Sequence, residues 1–258
     1  MQSTPEWVIL HVPHDSTLIP AEIRQQFVLD DKSLNQEIIK MTDHHTLDLF
    51  TQGVPEQQIV RAPVSRLVID VERFTDDAQE TMVEKGMGVI YTRTANGEPL
   101  RKTLTAEDRQ ALIKQWYTPH HERLINVTQK TLEKHNKVLI IDAHSFPSVP
   151  LKYEYDQRLT RPDICIGTDA FHTPNKLAAV FVDTFEDAGF NTSLNEPFAG
   201  ALVPMPYYHT DKRVSAVMIE VNRGLYLDEN TGHPNIRFKE ITRLLTECIA
   251  KSLEIIIV

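Results

Sequence analysis

The sequence predicts an α/β fold with a mainly parallel, mixed sheet, and three observations lead to this prediction. Short apolar runs rich in β-branched residues recur along the chain. Runs such as VLIID and AVMIEV are apolar at successive positions, which is expected of strands covered on both faces. Amphipathic segments of helical length lie between the runs, and an alternation of strands and helices favours parallel pairing.

Six segments are predicted to form strands, because each is short, apolar and bounded by polar residues, Pro or Gly. They cover residues 7–12, 66–71, 88–92, 137–142, 163–167 and 216–221.

Three longer segments are predicted to form helices, over residues 105–136, 174–189 and 235–253. Thr105 is a suitable N-cap for the first because acidic residues follow it directly. Pro119 lies inside this helix and should kink or split it. The second helix has Pro174 at its first position, and Gly189 ends it.

Composition limits the function classes. A length of 258 residues with 41% apolar residues is predicted to form one domain over residues 1–258. The net charge of -9 argues against a nucleic-acid partner, whereas a small anionic substrate needs only one local basic pocket. Cys165 and Cys248 cannot build a disulfide framework or a Cys-rich zinc site. Without a signal or membrane-spanning pattern, we predict a cytoplasmic protein with no membrane partner; the sequence leaves the oligomeric state open.

Polar residues stand at the ends of the apolar runs, where open α/β sheets bind their ligands. His14 follows the first run, His144 follows VLIID, and Arg73 follows the run over 66–71. Glu220 interrupts AVMIEV near its end. Histidine and carboxylate side chains are the ligand set of a catalytic zinc with a position left open for water.

Each of these residues also has a structural interpretation. His14 and His144 can be turn histidines bonded to the backbone, and Asp142 can cap a turn instead of orienting a ligand histidine. Glu220 is either paired structurally, for instance with Arg223, or catalytic, because an unpaired buried carboxylate is costly. Arg73 is either a surface residue or a bidentate partner for a substrate carboxylate.

The segment Asp43-His44-His45 is similarly ambiguous. Asp43 is either the N-cap of a short helix or the carboxylate that completes a set of two histidines and one carboxylate. The pair His120 and His121 is expected to place one ring in solvent and one in packing.

Eight segments in order resemble the N-formylglutamate amidohydrolase family, and they span residues 8–229. They are HVPHDSTLIP, TDHHTLDLF, SRLVIDVERF, YTPHHERL, IDAHSFPS, PDICIGTD, NEPFAGALVP and MIEVNRGLYLDE. The family is similar in fold to the zinc carboxypeptidases and to the aspartoacylase and succinylglutamate desuccinylase group. The resemblance therefore implies a three-layer α/β/α fold of the phosphorylase/hydrolase-like, zinc-exopeptidase-like type.

The resemblance also implies the chemistry of one zinc ion per chain, with another divalent metal as the alternative. His14 and His144 match the histidine ligands, and Glu220 matches the glutamate that activates the water. Arg73 matches the arginine of the D-x-N-R motif, which holds a substrate carboxylate. Arg66, Arg223 and Asn195 complete the set of candidate substrate-binding residues.

Two departures from the related sites bear on the ligands. Thr17 stands where carboxypeptidase-like sites place a glutamate ligand, so we expect Asp43, rather than Asp15, to supply the carboxylate. Glu72 replaces the Asn of D-x-N-R. The implied reaction is hydrolysis of N-formyl-L-glutamate, in histidine degradation, to formate and L-glutamate. The alternatives are another acyl-amino acid or peptide-like amide as substrate, and a non-catalytic protein that retains the metal.

Overall fold

The computed structural model describes residues 4–257, and the ends of the domain predicted over 1–258 lie outside the described residues. The helices are α1 (Ala21–Arg24), α2 (Asp31–Met41), α3 (Thr46–Phe50), α4 (Ala106–Leu112), α5 (Thr118–His135), α6 (Asn175–Asp187) and α7 (Phe238–Ile257). The strands are β1 (Val8–Val12), β2 (Ile59–Arg61), β3 (Val138–Phe146), β4 (Ile164–Gly167), β5 (Thr192–Leu194), β6 (Val214–Asn222), β7 (Leu227–Asp228) and β8 (His233–Pro234).

A six-stranded sheet in the order β2-β1-β3-β6-β4-β5 forms the centre of the fold. The first four strands are parallel, whereas β4 is antiparallel to β6 and parallel to β5. This arrangement confirms the predicted mainly parallel, mixed sheet. Because β1, β3 and β6 run in the same direction, their carboxyl ends meet at one edge.

Helices cover both faces of the sheet, as predicted. Successive side chains of a strand point to opposite faces, and the two sets pack into different clusters. Ile9, Ile140 and Ala216 pack with Leu124 and Leu132 of α5. The neighbouring residues of the same strands, Leu10, Ile141 and Val217 among them, pack with α3, α6 and α7 through residues that include Leu49, Phe181 and Leu245.

Two predicted strands were wrong. Residues 66–71 and 88–92 contain no strand, although both runs are buried. Their apolar side chains pack in a third cluster beside the sheet, with Leu67, Ile69 and Val89 among its members. Burial rather than pairing explains their apolar pattern, which periodicity alone does not separate from that of a covered strand. The three-residue strands β2 and β5 were missed because they are too short to give a pattern.

The predicted helices are present with small shifts of their ends. Thr105 caps α4 in a capping box with Asp108. The long helix is split as expected: residues 113–117 form a π-helical turn, and Pro119 lies in the first turn of α5. Helix α6 begins directly after Pro174, and Gly189 follows it with a φ of 90°. None of the helices within residues 4–257 has the length and apolarity that crossing a bilayer requires; the cytoplasmic location stays a prediction.

Candidate active site

The carboxyl ends of β1, β3 and β6 bring the predicted site residues together. His14 follows β1, His144 lies in β3, and Glu220 in β6 is its direct register partner on the neighbouring strand. Asp43 precedes α3 and is tied to this edge because its backbone N–H donates to the carbonyl of His14. His14, Asp43, His144 and Glu220 are all buried. Four residues that are far apart in sequence therefore share one enclosed site.

His14 has one ring nitrogen bound and one free. Its Nε2 donates to Oδ1 of Asp70 at 2.9 Å. Burial would raise the pKa of Asp70, but the charges of His14 and Arg66 hold it well below its ordinary value. The proton of a neutral His14 therefore belongs on Nε2. Its Nδ1 is buried with no hydrogen-bond partner among the described residues, which leaves a lone pair directed into the site.

His144 lies among carboxylates on both sides of its ring. Nδ1 is 3.1 Å from Oδ2 of Asp43, and Nε2 is 3.2 Å from Oδ1 of Asp142 and 3.1 Å from Oε1 of Glu72. Burial would lower the pKa of His144, but Glu72 and Asp142 raise it well above its ordinary value. Oxygen atoms that attract a proton this strongly also favour a metal cation.

Asp43 does not cap α3. The N-cap of α3 is His45 in a left-handed conformation with a φ of 63°. The Asp43 carboxylate instead accepts from Arg223 Nη2 at 2.7 Å, through Oδ1, and from the backbone N–H of Ser145 at 3.2 Å, through Oδ2. Burial would raise the pKa of Asp43, but its contacts with His14, His144 and Arg223 keep it well below its ordinary value. Asp43 is therefore an ionised carboxylate held in a fixed orientation.

Two carboxylates lie close enough to complete a metal site with the two histidines. Oδ2 of Asp43 is 3.8 Å from Nδ1 of His14 and 3.1 Å from Nδ1 of His144. Oε2 of Glu72 is 3.6 Å from Nδ1 of His14, and its Oε1 is 3.1 Å from Nε2 of His144. Ligand atoms in a tetrahedral zinc site lie about 3.4 Å apart, given bonds of about 2.1 Å. One donor atom each of His14, Glu72 and His144 all lie within 4.8 Å of one another, and Oδ2 of Asp43 is within 3.8 Å of Nδ1 of both histidines.

Glu220 is a buried carboxylate without a complete set of partners. Its Oε2 has no hydrogen-bond partner among the described residues. Burial raises the pKa of Glu220 to about 7; His144 and Arg223 oppose the rise, and Asp43 adds to it. The ion pair with Arg223 that a structural role would require does not form within residues 4–257, because Arg223 pairs with Asp43. A carboxylate with these properties can exchange a proton near neutral pH.

The four predicted substrate-binding residues differ in the donors that they leave free. Arg66 donates to Tyr91 and Asp70, and its Nη1 lies 3.7 Å from Asp43 Oδ1. Arg73 lies 3.7 Å from Asp70 through a buried Nε that has no partner among the described residues, and 26% of its side chain is exposed. The structure therefore leaves the Nε donor of Arg73 without a hydrogen bond within residues 4–257, beside Asp70.

Arg223 and Asn195 have side-chain donors bound by other residues of the chain. Nε, Nη1 and Nη2 of Arg223 donate to Ser145 Oγ, to the Lys40 carbonyl, and to Asp43 together with the Ser145 carbonyl. The side chain of Asn195 bonds Thr168 at the end of β4. All three guanidinium nitrogens of Arg223 therefore donate within the described residues, unlike Nε of Arg73.

Sequence reasoning missed His11, Tyr91 and the direct contact of Glu72 with both histidines. His11 interrupts the apolar run of β1 as Glu220 interrupts that of β6, so the same argument applied to His11 would have identified it. Tyr91, whose hydroxyl donates to Asp70, carried no signal of its own.

The chain is similar to known proteins over most of its length. A profile of N-formylglutamate amidohydrolases matches residues 7–227. An N-formylglutamate deformylase of Pseudomonas aeruginosa is 26% identical over 231 residues, which cover 86% of this chain and 82% of that protein. The crystal structure of an N-formylglutamate amidohydrolase from Ralstonia eutropha has a TM-score of 0.81 at 22% identity and covers 96% of this chain and 92% of its own. A gene product of Agrobacterium tumefaciens has a TM-score of 0.69 at 20% identity, with 97% and 91% covered. These two structures share the fold described above.

Proposed function

The chain belongs to the N-formylglutamate amidohydrolase family, and from this premise we propose that it is a zinc-dependent hydrolase of N-formyl-L-glutamate or a related N-acyl amino acid. The products from N-formyl-L-glutamate are formate and L-glutamate. The observation that carries the proposal is the carboxylate of Glu220, which is in register with His144 and whose Oε2 has no partner among the described residues, together with the buried Nδ1 of His14, which has none there either. That combination suits hydrolysis by an activated water.

His14, His144 and Asp43 are the residues that we propose to hold the metal. Nδ1 of His14 supports this assignment because a buried nitrogen without a partner is costly unless something binds it. Asp43 is ionised and fixed by Arg223 and Ser145, and its Oδ2 faces Nδ1 of both histidines. Glu72 is the alternative third ligand. When bound, the ion polarises the amide carbonyl and makes the attacking water more acidic.

Glu220 supplies the proton transfers. Its free Oε2 accepts a proton from the attacking water and then delivers it to the nitrogen of the leaving amine. A pKa of about 7 suits both steps, because the group must accept and release a proton within one turnover. The burial of Glu220 also keeps bulk water from competing for the same oxygen.

Arg73 and Arg66 give the site its preference for acidic substrates. Nε of Arg73 has no hydrogen-bond partner among the described residues and lies 3.7 Å from Oδ2 of Asp70, which also bonds Arg66. The arginine fork matches a carboxylate in a bidentate geometry. Arg66 lies between Asp70 and Asp43, so its charge faces the same space. We therefore propose that Arg73 binds a substrate carboxylate and that Arg66 assists it.

Metal analysis combined with a substrate screen tests the proposal. Zinc content of the purified and zinc-reconstituted protein is measured, together with hydrolysis of formyl-, acetyl- and succinyl-glutamate and their neutral glutamine counterparts. We expect one ion per chain and the highest kcat/KM for formyl-glutamate. A different preferred acyl group identifies another acyl-amino acid as substrate. Stoichiometric zinc without hydrolysis of any of these compounds supports a non-catalytic metal-binding protein.

Single substitutions then assign the ligands. His14→Ala, His144→Ala and Asp43→Asn should lose zinc, whereas Glu72→Gln should retain it. His172→Gln is the matched control, because His172 is also buried but bonds Val214 and His209 away from the site. Retention of zinc by Asp43→Asn with loss in Glu72→Gln makes Glu72 the third ligand. Absence of zinc from wild type in every preparation contradicts the metal site.

A further inference from the structure

The connection between β3 and β4, residues 147–163, lies at the edge of the sheet that carries the site. Strand β3 ends there beside the end of β6. Strand β4 lies on the other side of β6 and runs antiparallel to it, so β4 begins at the same edge, with Ile164 opposite Val221. The β3–β4 connection therefore starts and finishes at this edge and spans the end of the strand that holds Glu220.

Contacts with two distant parts of the chain hold the β3–β4 connection in place. Near its start, the backbone N–H and the hydroxyl of Ser148 donate to the carboxylate of Glu229, which follows β7. Further along, the hydroxyl of Tyr155 donates to Glu84 at 2.6 Å. Glu84 follows Arg73 along the chain, so the connection reaches the part of the protein that supplies the proposed carboxylate-binding arginine.

A closed turn, Leu151 to Glu154, lies in the middle of this connection. The backbone N–H of Glu154 donates to the Leu151 carbonyl at 3.0 Å, and that of Leu151 donates to Oε1 of Glu154 at 2.9 Å. The other oxygen of Glu154 accepts from Arg161, in an ion pair whose side chains are only 3% and 2% exposed. Tyr153 belongs to this turn, so contacts that do not involve its own side chain fix its backbone.

The side chain of Tyr153 lies beside the proposed substrate-binding arginines. Its ring packs against the apolar cluster that contains residues 67–69 and Tyr91. Burial raises the pKa of Tyr153 to about 12, and the charges of Arg66, Arg223 and Arg73 oppose the rise. Because such effects weaken with distance, all three guanidinium groups are near the ring.

The hydroxyl of Tyr153 is available to a ligand. Unlike the hydroxyl of Tyr155, it has no hydrogen-bond partner among the described residues, and the side chain is partly exposed. The positive charges around it favour an anion, and each oxygen of a carboxylate can accept more than one hydrogen bond. A carboxylate bound by Arg73 therefore has capacity left for a second, neutral donor.

We propose that Tyr153 is a substrate-binding residue, whose hydroxyl donates to the same side-chain carboxylate of an acidic acyl-amino acid that Arg73 binds. This inference rests on the proposed function and adds a specificity-determining residue to it. A hydrogen bond to a charged group contributes more to binding than one between neutral groups. Tyr153 therefore strengthens the preference for an acidic substrate over its neutral counterpart.

Calorimetric titration of the zinc-loaded protein with L-glutamate and L-glutamine tests this role. Tyr153→Phe keeps the packed ring and removes only the hydroxyl. The Kd for L-glutamate should rise about tenfold or more, because a hydrogen bond to a charged group is worth roughly a factor of 10 to 100. The Kd for L-glutamine should change less. Tyr155→Phe is the matched control, because it removes a hydroxyl from the same connection that is already bound to Glu84, and it should leave both values unchanged.

A double substitution tests whether Tyr153 and Arg73 bind the same group. In the Arg73→Ala protein the carboxylate is no longer held beside the hydroxyl. Adding Tyr153→Phe should then raise the Kd for L-glutamate by less than about threefold, since residues that share a partner are not additive. Two full, independent losses would show that the two side chains bind different groups.

Kinetics and stability separate substrate binding from a structural role. The hydroxyl contacts a part of the substrate that does not react, so Tyr153→Phe should raise KM for formyl-glutamate and leave kcat and zinc content near those of wild type. A structural role predicts a lower Tm of the metal-free variant and equal losses for glutamate and glutamine.

The outcomes of these measurements are distinct. A wild-type Kd for L-glutamate in Tyr153→Phe, equal losses for both ligands, or additive losses with Arg73→Ala overturns the role of Tyr153 and leaves the proposed hydrolysis intact. Wild-type protein that neither hydrolyses formyl-glutamate nor binds L-glutamate contradicts the proposed substrate class and the role of Tyr153 with it.

Discussion

The substitution Glu220→Gln distinguishes a catalytic carboxylate from a structural one. The amide keeps the shape of the side chain but cannot accept a proton from water. We expect kcat to fall by about 10² to 10⁴-fold, the usual contribution of general acid–base catalysis. Because Glu220 is proposed as a base and not as a ligand, the zinc content should remain one ion per chain.

The same substitution should not destabilise the fold. Oε2 of Glu220 is buried without a partner in the part of the chain that the structure describes, and a buried polar group with an unmade hydrogen bond costs about 1–3 kcal/mol. A neutral amide in the same place removes the cost of burying a charge. We therefore expect the free energy of unfolding of the metal-free variant to equal that of wild type or to exceed it by up to about 3 kcal/mol. In a domain of this size each 1 kcal/mol corresponds to about 2–4 °C in Tm.

The assay measures three quantities on one preparation: kcat from formate release, zinc by elemental analysis, and the midpoint of the chelated protein by calorimetry. Glu37→Gln is the matched control, because Glu37 is a 4% exposed carboxylate whose partner is the backbone of Ala95, outside the site. It should keep its kcat. Near-normal kcat in Glu220→Gln refutes the reasoning, lost zinc makes Glu220 a ligand, and a lower midpoint with retained kcat assigns it a structural role.

Three other predictions follow from the same geometry. Arg73→Ala should lower kcat/KM for an acidic substrate about 30-fold, near the lower end of the range for buried charge pairs because 26% of the side chain is exposed. The kcat/KM for a neutral substrate should fall less. The control Arg109→Ala removes an arginine of similar exposure from a pair with Asp77 and should keep kcat/KM for both substrates. Zinc at about 100 times its dissociation constant should stabilise the protein by about 2.7 kcal/mol, so chelation should lower Tm by about 5–10 °C and leave His14→Ala unaffected. Burial lowers the pKa of His121 to about 4, so the folded state keeps this side chain neutral. Its contribution to the free energy of unfolding should therefore be complete above pH 6.5 and should be lost as the pH falls towards 4. His121→Gln keeps a donor for the Val71 carbonyl but cannot titrate. Between pH 7 and pH 4 the free energy of unfolding of the chelated variant, measured with denaturant, should fall by up to about 3 kcal/mol less than that of wild type.

The sequence predicted the parts of the fold whose pattern has one physical cause. Strands β3 and β6 contain runs that are apolar at successive positions, over residues 138–141 and 216–219, because helices cover both faces. The capping residue Thr105 and the split at Pro119 follow from local backbone chemistry. The runs over 66–71 and 88–92 failed because a buried loop that packs in its own cluster is as apolar as a covered strand. The local sequence pattern reflects burial, whereas the tertiary fold determines whether a buried segment pairs with a neighbouring strand.

The same limit applies to the candidate site. Strand-end position brought His14, His144 and Glu220 to notice, and the structure places them together. Strand-end position did not predict that the Asp43 carboxylate would contact two histidines instead of capping α3, or that Arg223 would donate to Asp43 and Ser145. Those contacts depend on how loops from distant parts of the chain reach the sheet edge. The sequence identifies which groups have chemistry available, and the fold determines which of them are left unpaired.

Polar residues that interrupt the apolar strands nevertheless indicate more of the site than any single motif does. His11 in β1, Asp142 and His144 in β3, and Glu220 in β6 interrupt three apolar strands, and their positions alternate with the residues that pack against α3, α6 and α7. All four therefore lie on the face that α5 covers, towards the carboxyl ends of neighbouring parallel strands. Buried polar groups are tolerated only where they bond one another or a ligand. Four of them at paired register positions on one face argue for a single connected site.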